Sequence, residues 1–235
     1  MADTDVMAGR LREILDRMTA AARLAGRDEG DVRLLAVSKT WPVEALREAW
    51  EAGVRDFGEN YAQELAAKHG QMPAEVRWHF IGPLQGNKAK LIAGRAAYFH
   101  SLDNLALAAR LSRRLEEEDL PSMTVFINVN VGGEDSKHGI PPREADLFSL
   151  VEATAMLPRI RLQGLMTLPP YEDDPGGSRR HFAALRHLRD RAQDATGVAL
   201  PELSMGMSHD FEAAIAEGAT WVRVGTALFG RREMV

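Results

Sequence analysis

The chain has 235 residues, of which 45% are apolar and 27% charged, with a formal charge of −5. That composition excludes a disordered chain, and the lack of cysteine excludes disulfides, thiolate catalysis and cysteine-based zinc sites. The acidic balance gives no pull toward nucleic acid or an anionic membrane, although a few aimed donors can still hold one small anion.

The opening, MADTDVMAGRLREIL, reads as a helix. It shows no signal peptide, and no apolar run is long enough to span a bilayer, which points to a cytoplasmic protein. Arg33–Ser38 (RLLAVS) is the first candidate strand, and Val43–Glu51 follows as a helix after Pro42, a favoured first helical position. Val54–Gly58, Val76–Ile81 and Ala97–Ser101 are the next candidate strands. Asn104–Glu118 reads as a long helix with the acidic LEEED end in solvent. Met123–Val129 and Arg161–Met166 are strands five and six. The polar loop Tyr171–Gly177 precedes an amphipathic helix, Ser178–Ala195, with Phe182, Leu185 and Leu188 on one stripe. Glu202–Met205, a short helix from Phe211 to Glu217 and the strand Trp221–Val224 complete the chain, Gly218 being a usual helix stop.

Several of these strands are too apolar for a one-sided sheet, so the pattern predicts parallel strands covered by helices. Eight of them alternating with helices predict an α/β fold, a single (β/α)₈ TIM-type barrel with an additional N-terminal helix. An open doubly wound sheet is the alternative. No Pro/Gly/Ser-rich linker divides the chain, so residues 1–235 read as one domain.

In such a barrel the site lies at the C-terminal ends of the strands. Lys39 ends the run LLAVSK, and alternation places it on the side of Leu35 and Val37. A partly buried lysine holds more of the neutral amine that condenses with an aldehyde; a lysine that simply snorkels to water is the plain alternative. Ser208 follows strand seven, and Gly225-Thr226 follows strand eight. Loops seven and eight are where barrels often hold phosphate. Otherwise Ser208 only caps a helix and Gly225 only turns the chain. Arg223 shares a strand face with Gly225. It needs a partner, either an internal acid such as Glu59 or a cofactor ring nitrogen, which it would keep unprotonated because a guanidinium only donates.

The segments LLAVSKTWP, DFGENYAQE, WHFIGPLQGNK, SKHGI, GLMTL, LSMGMSHDFEAAI and VRVGTALFG resemble the YggS/PROSC family of pyridoxal phosphate homeostasis proteins, from about Leu34 to Gly230. The resemblance implies the barrel of the alanine racemase N-terminal domain with pyridoxal 5′-phosphate as cofactor. It makes Lys39 the Schiff-base lysine, Ser208, Gly225 and Thr226 phosphate ligands, and Arg223 the partner of the pyridine nitrogen. Asn60, His79 and Met207 would line the pocket, although His79 shares a face with Ile81 and reads equally as a satisfied core histidine. Gly86 departs from the family, where serine is common.

Alanine racemases add a β-rich domain that supplies a catalytic tyrosine across a dimer, and this sequence ends just after its eighth strand. Tyr61, Tyr98 and Tyr171 have no supported acid–base role, so no catalytic residue is assigned. The implied function is therefore a pyridoxal phosphate carrier, with apoenzymes as partners and a monomeric state. The alternatives are a weak amino-acid racemase and a barrel for another phosphorylated metabolite. Lys137, in the loop after strand five, is a candidate for transient aldehyde capture or a solvated lysine. The arginines of Ser178–Ala195 read as a solvated face.

Overall fold

Eight strands pair in chain order, all parallel, and the last closes onto the first. The computed structural model describes residues 3–134, 137–170, 172–174 and 177–230. Tyr171, Pro175 and Gly176 of the polar loop, Asp135 and Ser136 of the loop after strand five, and the tail from Arg231 lie outside the described residues. The elements run α1 (Asp3–Leu24), β1 (Arg33–Val37), α2 (Val43–Glu51), β2 (Asp56–Glu59), α3 (Ala62–His69), β3 (Arg77–Phe80), α4 (Ala89–Ile92), β4 (Tyr98–Leu102) and α5 (Leu105–Glu117). They continue as β5 (Met123–Asn128), α6 (Glu144–Ala155), β6 (Ile160–Met166), α7 (Arg179–Thr196), β7 (Glu202–Met207), α8 (Phe211–Ala216), β8 (Trp221–Val224) and α9 (Thr226–Phe229). The closed barrel, rather than the open sheet, is the architecture that the strand count predicts. No helix among the described residues is long and apolar enough to cross a membrane.

The core has two compartments. Outward-facing strand residues such as Ala36, Phe57, Val125 and Val224 pack beneath the helices in one continuous apolar cluster. Burial on both faces explains why β5 is buried at every position and is apolar at Met123, Val125, Phe126 and Ile127. Inward-facing residues form a smaller cluster of Leu35, Phe126, Met166 and Trp221. The barrel interior also holds polar groups: His79, His100, Ser204 and Arg223 are all buried there. Aromatic contact frames them. His79 stacks on Tyr98 with ring centroids 4.1 Å apart, and His100 stacks on Phe126 at 4.4 Å.

Strand seven runs two residues beyond its expected end because it bends without stopping. The β7–β8 register shifts between Ser204 and Met207, and Gly206 sits inside that irregularity with φ of +92°. A Cβ there would lie 2.6 Å from the Ala214 Cβ and 3.0 Å from the Phe211 Cα, so α8 also needs a glycine at this point. The bend carries Met207 and Ser208 over the barrel mouth.

The arginines of α7 are paired. Arg179 and Arg186 both reach Glu217, Arg180 reaches Glu172 and Arg191 reaches Glu144. That arrangement makes the helix a neutralised surface and not a basic patch.

Gly206→Ala combines positive-φ strain with overpacking and should cost roughly 2–4 kcal/mol. A denaturant midpoint unchanged from the wild type would refute this role for the glycine.

Candidate functional site

Each strand delivers its inward residues in register to the mouth. On β1, Leu35 lies in the inner cluster, and Val37 and Lys39 above it line a cavity of about 280 Å³. On β8 the inward series is Trp221, Arg223 and Gly225, the last two reaching the same cavity. Because β1 pairs with β8, with Ala36 opposite Val224, Lys39 and the Gly225-Thr226 turn become neighbours. The cavity is near the lower end of small-molecule pockets, about 300 Å³.

Seven of the eight residues named from sequence line this one cavity: Lys39, Asn60, Met207, Ser208, Arg223, Gly225 and Thr226. His79 does not. It lies deeper in the barrel, fully buried, bonded to Asp56 at 3.0 Å and to His100 at 2.9 Å. Its place is that of a satisfied core histidine. Lys137 is not in the cavity wall, and neither are Tyr61 or Tyr98. Gly86 opens a short 3₁₀ turn off the cavity.

One end of the cavity is rich in donors. The Ser208 hydroxyl oxygen accepts the backbone N–H of Gly225 at 3.2 Å and of Ala227 at 3.4 Å. These two N–H groups converge on the Ser208 oxygen, and Ser208, Gly225 and Thr226 line the same cavity. Ser208 does not cap α8. Asp210 occupies the N-cap position, and its carboxylate accepts the Met207 N–H at 2.8 Å. The close approach of Gly225 to β1 leaves little room for a side chain, since a Cβ would stand 3.3 Å from the Val37 carbonyl oxygen.

Arg223 forms the floor. It donates to the Ser204 carbonyl at 2.7 Å, the Ser204 hydroxyl at 3.0 Å and the Thr167 carbonyl at 2.8 Å. Its partners are thus neutral groups and not Glu59. Burial lowers its pKa to about 10, against the pull of Asp210, so it stays a cation at neutral pH. Asn60 lines the same cavity, and its side-chain oxygen is buried without a hydrogen-bond partner. Val37, Ile81, Met166 and Leu168 supply the apolar wall.

The half-buried Lys39 sits on a turn clamped from behind. Thr40 has φ of +66°, a costly conformation for a β-branched residue. Its N–H is taken by Glu64 at 2.5 Å. The Ser38 hydroxyl donates to Glu59 at 2.6 Å, and the Lys68 ammonium donates to the Ser38 carbonyl at 2.9 Å and to Glu59 at 2.8 Å. Burial raises the Glu59 carboxyl to about 7, against the lowering effect of Lys68 and Ser38. Sequence reading missed this cluster. It also missed His209, which lines the cavity and bonds the Glu172 carbonyl at 3.0 Å. The signal for His209 was present, because it directly follows Ser208 in the loop after strand seven.

Residues 10–233 match the family model described as alanine racemase, N-terminal domain. The pyridoxal phosphate homeostasis protein of Pseudomonas aeruginosa is 48% identical over 229 residues, covering 97% of this chain and 96% of that relative. The chain belongs to the pyridoxal phosphate homeostasis family. Another member, from Aquifex aeolicus, is 46% identical over 225 residues, with 95% of this chain and 97% of the relative covered. Solved structures match as well. PipY of Synechococcus elongatus, in a structure described as having pyridoxal phosphate bound, is 37% identical with a TM-score of 0.80, covering 95% of this chain and 100% of PipY.

Glu59 gives the clamp a pH dependence. Its folded pKa lies above its unfolded value of 4.5, so its contribution to stability is full below pH 4.5 and is lost as pH rises through about 7. Lys68→Met removes its counter-ion. We expect a loss of roughly 3–5 kcal/mol at pH 8 that shrinks toward pH 5, where Glu59 takes up a proton. Equal losses at both pH values in urea titrations would contradict the clamp.

Proposed function

We propose that this chain binds pyridoxal 5′-phosphate at the barrel mouth, holds it through a Schiff base to Lys39, and buffers or delivers it to apoenzymes as a cytoplasmic monomer. The single observation that carries the reading is the convergence of one half-buried amine with the donor cluster of Ser208, Gly225 and Thr226 in one cavity. The names of the relatives, and the pyridoxal phosphate in the PipY structure, support it.

The residues fit the ligand group by group. The donor cluster suits a phosphate, whose oxygens only accept at neutral pH. The Lys39 amine suits an aldehyde, and the apolar wall suits a flat ring. The free Asn60 oxygen suits a ligand hydroxyl. Arg223 suits a ring nitrogen that accepts. When bound, the cofactor supplies an aldehyde that captures amines and a ring that withdraws electrons. Arg223 limits the second property, because a guanidinium cannot protonate the ring nitrogen and so leaves it a weak electron sink. Storage and release fit this electronic setting better than carbanion chemistry. Water reaching the open mouth makes the Lys39 linkage reversible by hydrolysis.

His209 in the cavity wall keeps a second reading alive, weak racemisation with Lys39 and His209 as two proton-transfer groups. Two experiments separate the readings. Adding pyridoxal phosphate to the wild type should produce a visible absorption band that Lys39→Ala lacks, and the loaded protein should reactivate a pyridoxal phosphate apoenzyme. Incubating the loaded protein with L-amino acids in deuterated water should leave the α-proton in place. Exchange at a useful rate that disappears in Lys39→Ala or His209→Ala would replace the carrier reading with the enzymatic one. A wild type that takes up no pyridoxal phosphate would remove both.

A further inference from the structure

A line of hydrogen bonds crosses the barrel interior from floor to mouth. At the floor, Arg77 forks onto Asp56, Nε to Oδ1 at 2.7 Å and Nη2 to Oδ2 at 2.6 Å. The Asp56 Oδ1 also meets His79 Nε2 at 3.0 Å. His79 Nδ1 meets His100 Nε2 at 2.9 Å, and His100 Nδ1 meets the Ser204 hydroxyl at 2.8 Å. That hydroxyl is the group to which Arg223 donates at 3.0 Å.

Chemistry at the two ends fixes every proton between them. Asp56 is held below the usual carboxylate range, because the hydrogen bonds from Arg77 and His79 outweigh the effect of its burial. As a carboxylate it only accepts, so His79 must donate from Nε2. A neutral His79 then accepts at Nδ1, so His100 donates from Nε2. His100 in turn accepts at Nδ1, and the Ser204 proton points to it. That leaves the Ser204 oxygen open to Arg223, which only donates. No second arrangement satisfies all the contacts without a cationic imidazole. Burial opposes that cation at both rings, most strongly at His100. The charges facing the pair are Asp56, Arg77 and Arg33 at the floor and Arg223 above.

We propose that Asp56, His79, His100 and Ser204 form a proton-ordered relay that positions Arg223, presenting its remaining N–H groups to the ligand ring in one fixed orientation. This rests on the reading that Arg223 faces the pyridine nitrogen. Three of the hydrogen bonds that Arg223 can donate are consumed by Ser204 and Thr167, out of five N–H groups in a guanidinium. The relay fixes the Ser204 hydroxyl rotor, because its proton is committed to His100 and its lone pairs are thereby turned toward Arg223. The four relay residues are positioning residues. None of them lines the cavity.

The test reads the protons first. In ¹⁵N-labelled wild type without added ligand, long-range ¹H–¹⁵N spectra at pH 7 should show His79 and His100 both neutral and both protonated at Nε2. A Nδ1–H tautomer or a cationic ring at either residue overturns the relay. Ser204→Ala keeps the backbone carbonyl that Arg223 uses but removes the hydroxyl. It should leave both rings protonated at Nε2, because Asp56 sets their order, and raise the dissociation constant for pyridoxal phosphate about fivefold to tenfold, with Ser204→Thr recovering most of the affinity. Unchanged affinity in Ser204→Ala overturns the positioning role. An ordered histidine pair in a wild type that takes up no pyridoxal phosphate sinks the proposed function and leaves the proton order standing, so the two failures are told apart.

Discussion

The closure of β8 onto β1 is the constraint on which the rest depends. Lys39 and Thr226 are far apart in sequence, and nothing local holds them together. The parallel register Arg33–Trp221 through Ala36–Val224 does so, because it fixes which residues rise together at the mouth. Once that register is set, side-chain alternation places Lys39, Arg223 and Gly225 on the inside without further choice. A shift of one residue would turn Arg223 outward into the apolar layer beneath the helices and Val224 inward. The buried guanidinium therefore also disfavours wrong registers, since only the inner compartment offers it the Ser204 and Thr167 acceptors.

Two polar systems support the mouth from opposite sides of the β1–β2 wall. Outside the wall, Lys68, Glu59 and Ser38 grip the backbone that carries Lys39, and Glu64 holds the strained Thr40. Inside, the histidine line holds Arg223 from below. Both place ionisable groups in buried surroundings, which costs stability unless hydrogen bonds are complete. They are nearly so, with one Glu59 oxygen left without a partner. The site thus combines a hydrogen-bonded floor at Arg223 with an anchored backbone beneath Lys39.

Most of the scaffold was legible in the sequence, for a physical reason. Parallel strands buried on both faces must be apolar, so runs such as LLAV and TVFIN announce themselves. Alternation then gave Lys39 and Arg223 their side. Strand seven was read too short because Gly206, which allows the bend, looks locally like a stop. The reading by strands passed over α6, although Leu147, Leu150, Val151 and Thr154 carry a helical stripe of buried residues. His79 shows the limit of alternation, which can place a side chain inside a barrel but cannot tell its depth. The relay was out of reach because its contacts join residues 21 to 104 positions apart. Lys68 was missed because a lysine on a short amphipathic helix looks solvated until its buried acid is known.

The lysine content makes the central claim open to one direct measurement. The chain has five lysines, at positions 39, 68, 88, 90 and 137, and any of them could form a Schiff base in principle. The wild-type protein would be titrated with pyridoxal phosphate and, separately, with pyridoxal, reduced with borohydride and mapped by peptide mass spectrometry. The account predicts a pyridoxyl group on Lys39 at stoichiometric pyridoxal phosphate, with inorganic phosphate competing and with pyridoxal far less effective. Labelling spread over the other four lysines, or equal labelling with and without the phosphate, would contradict it.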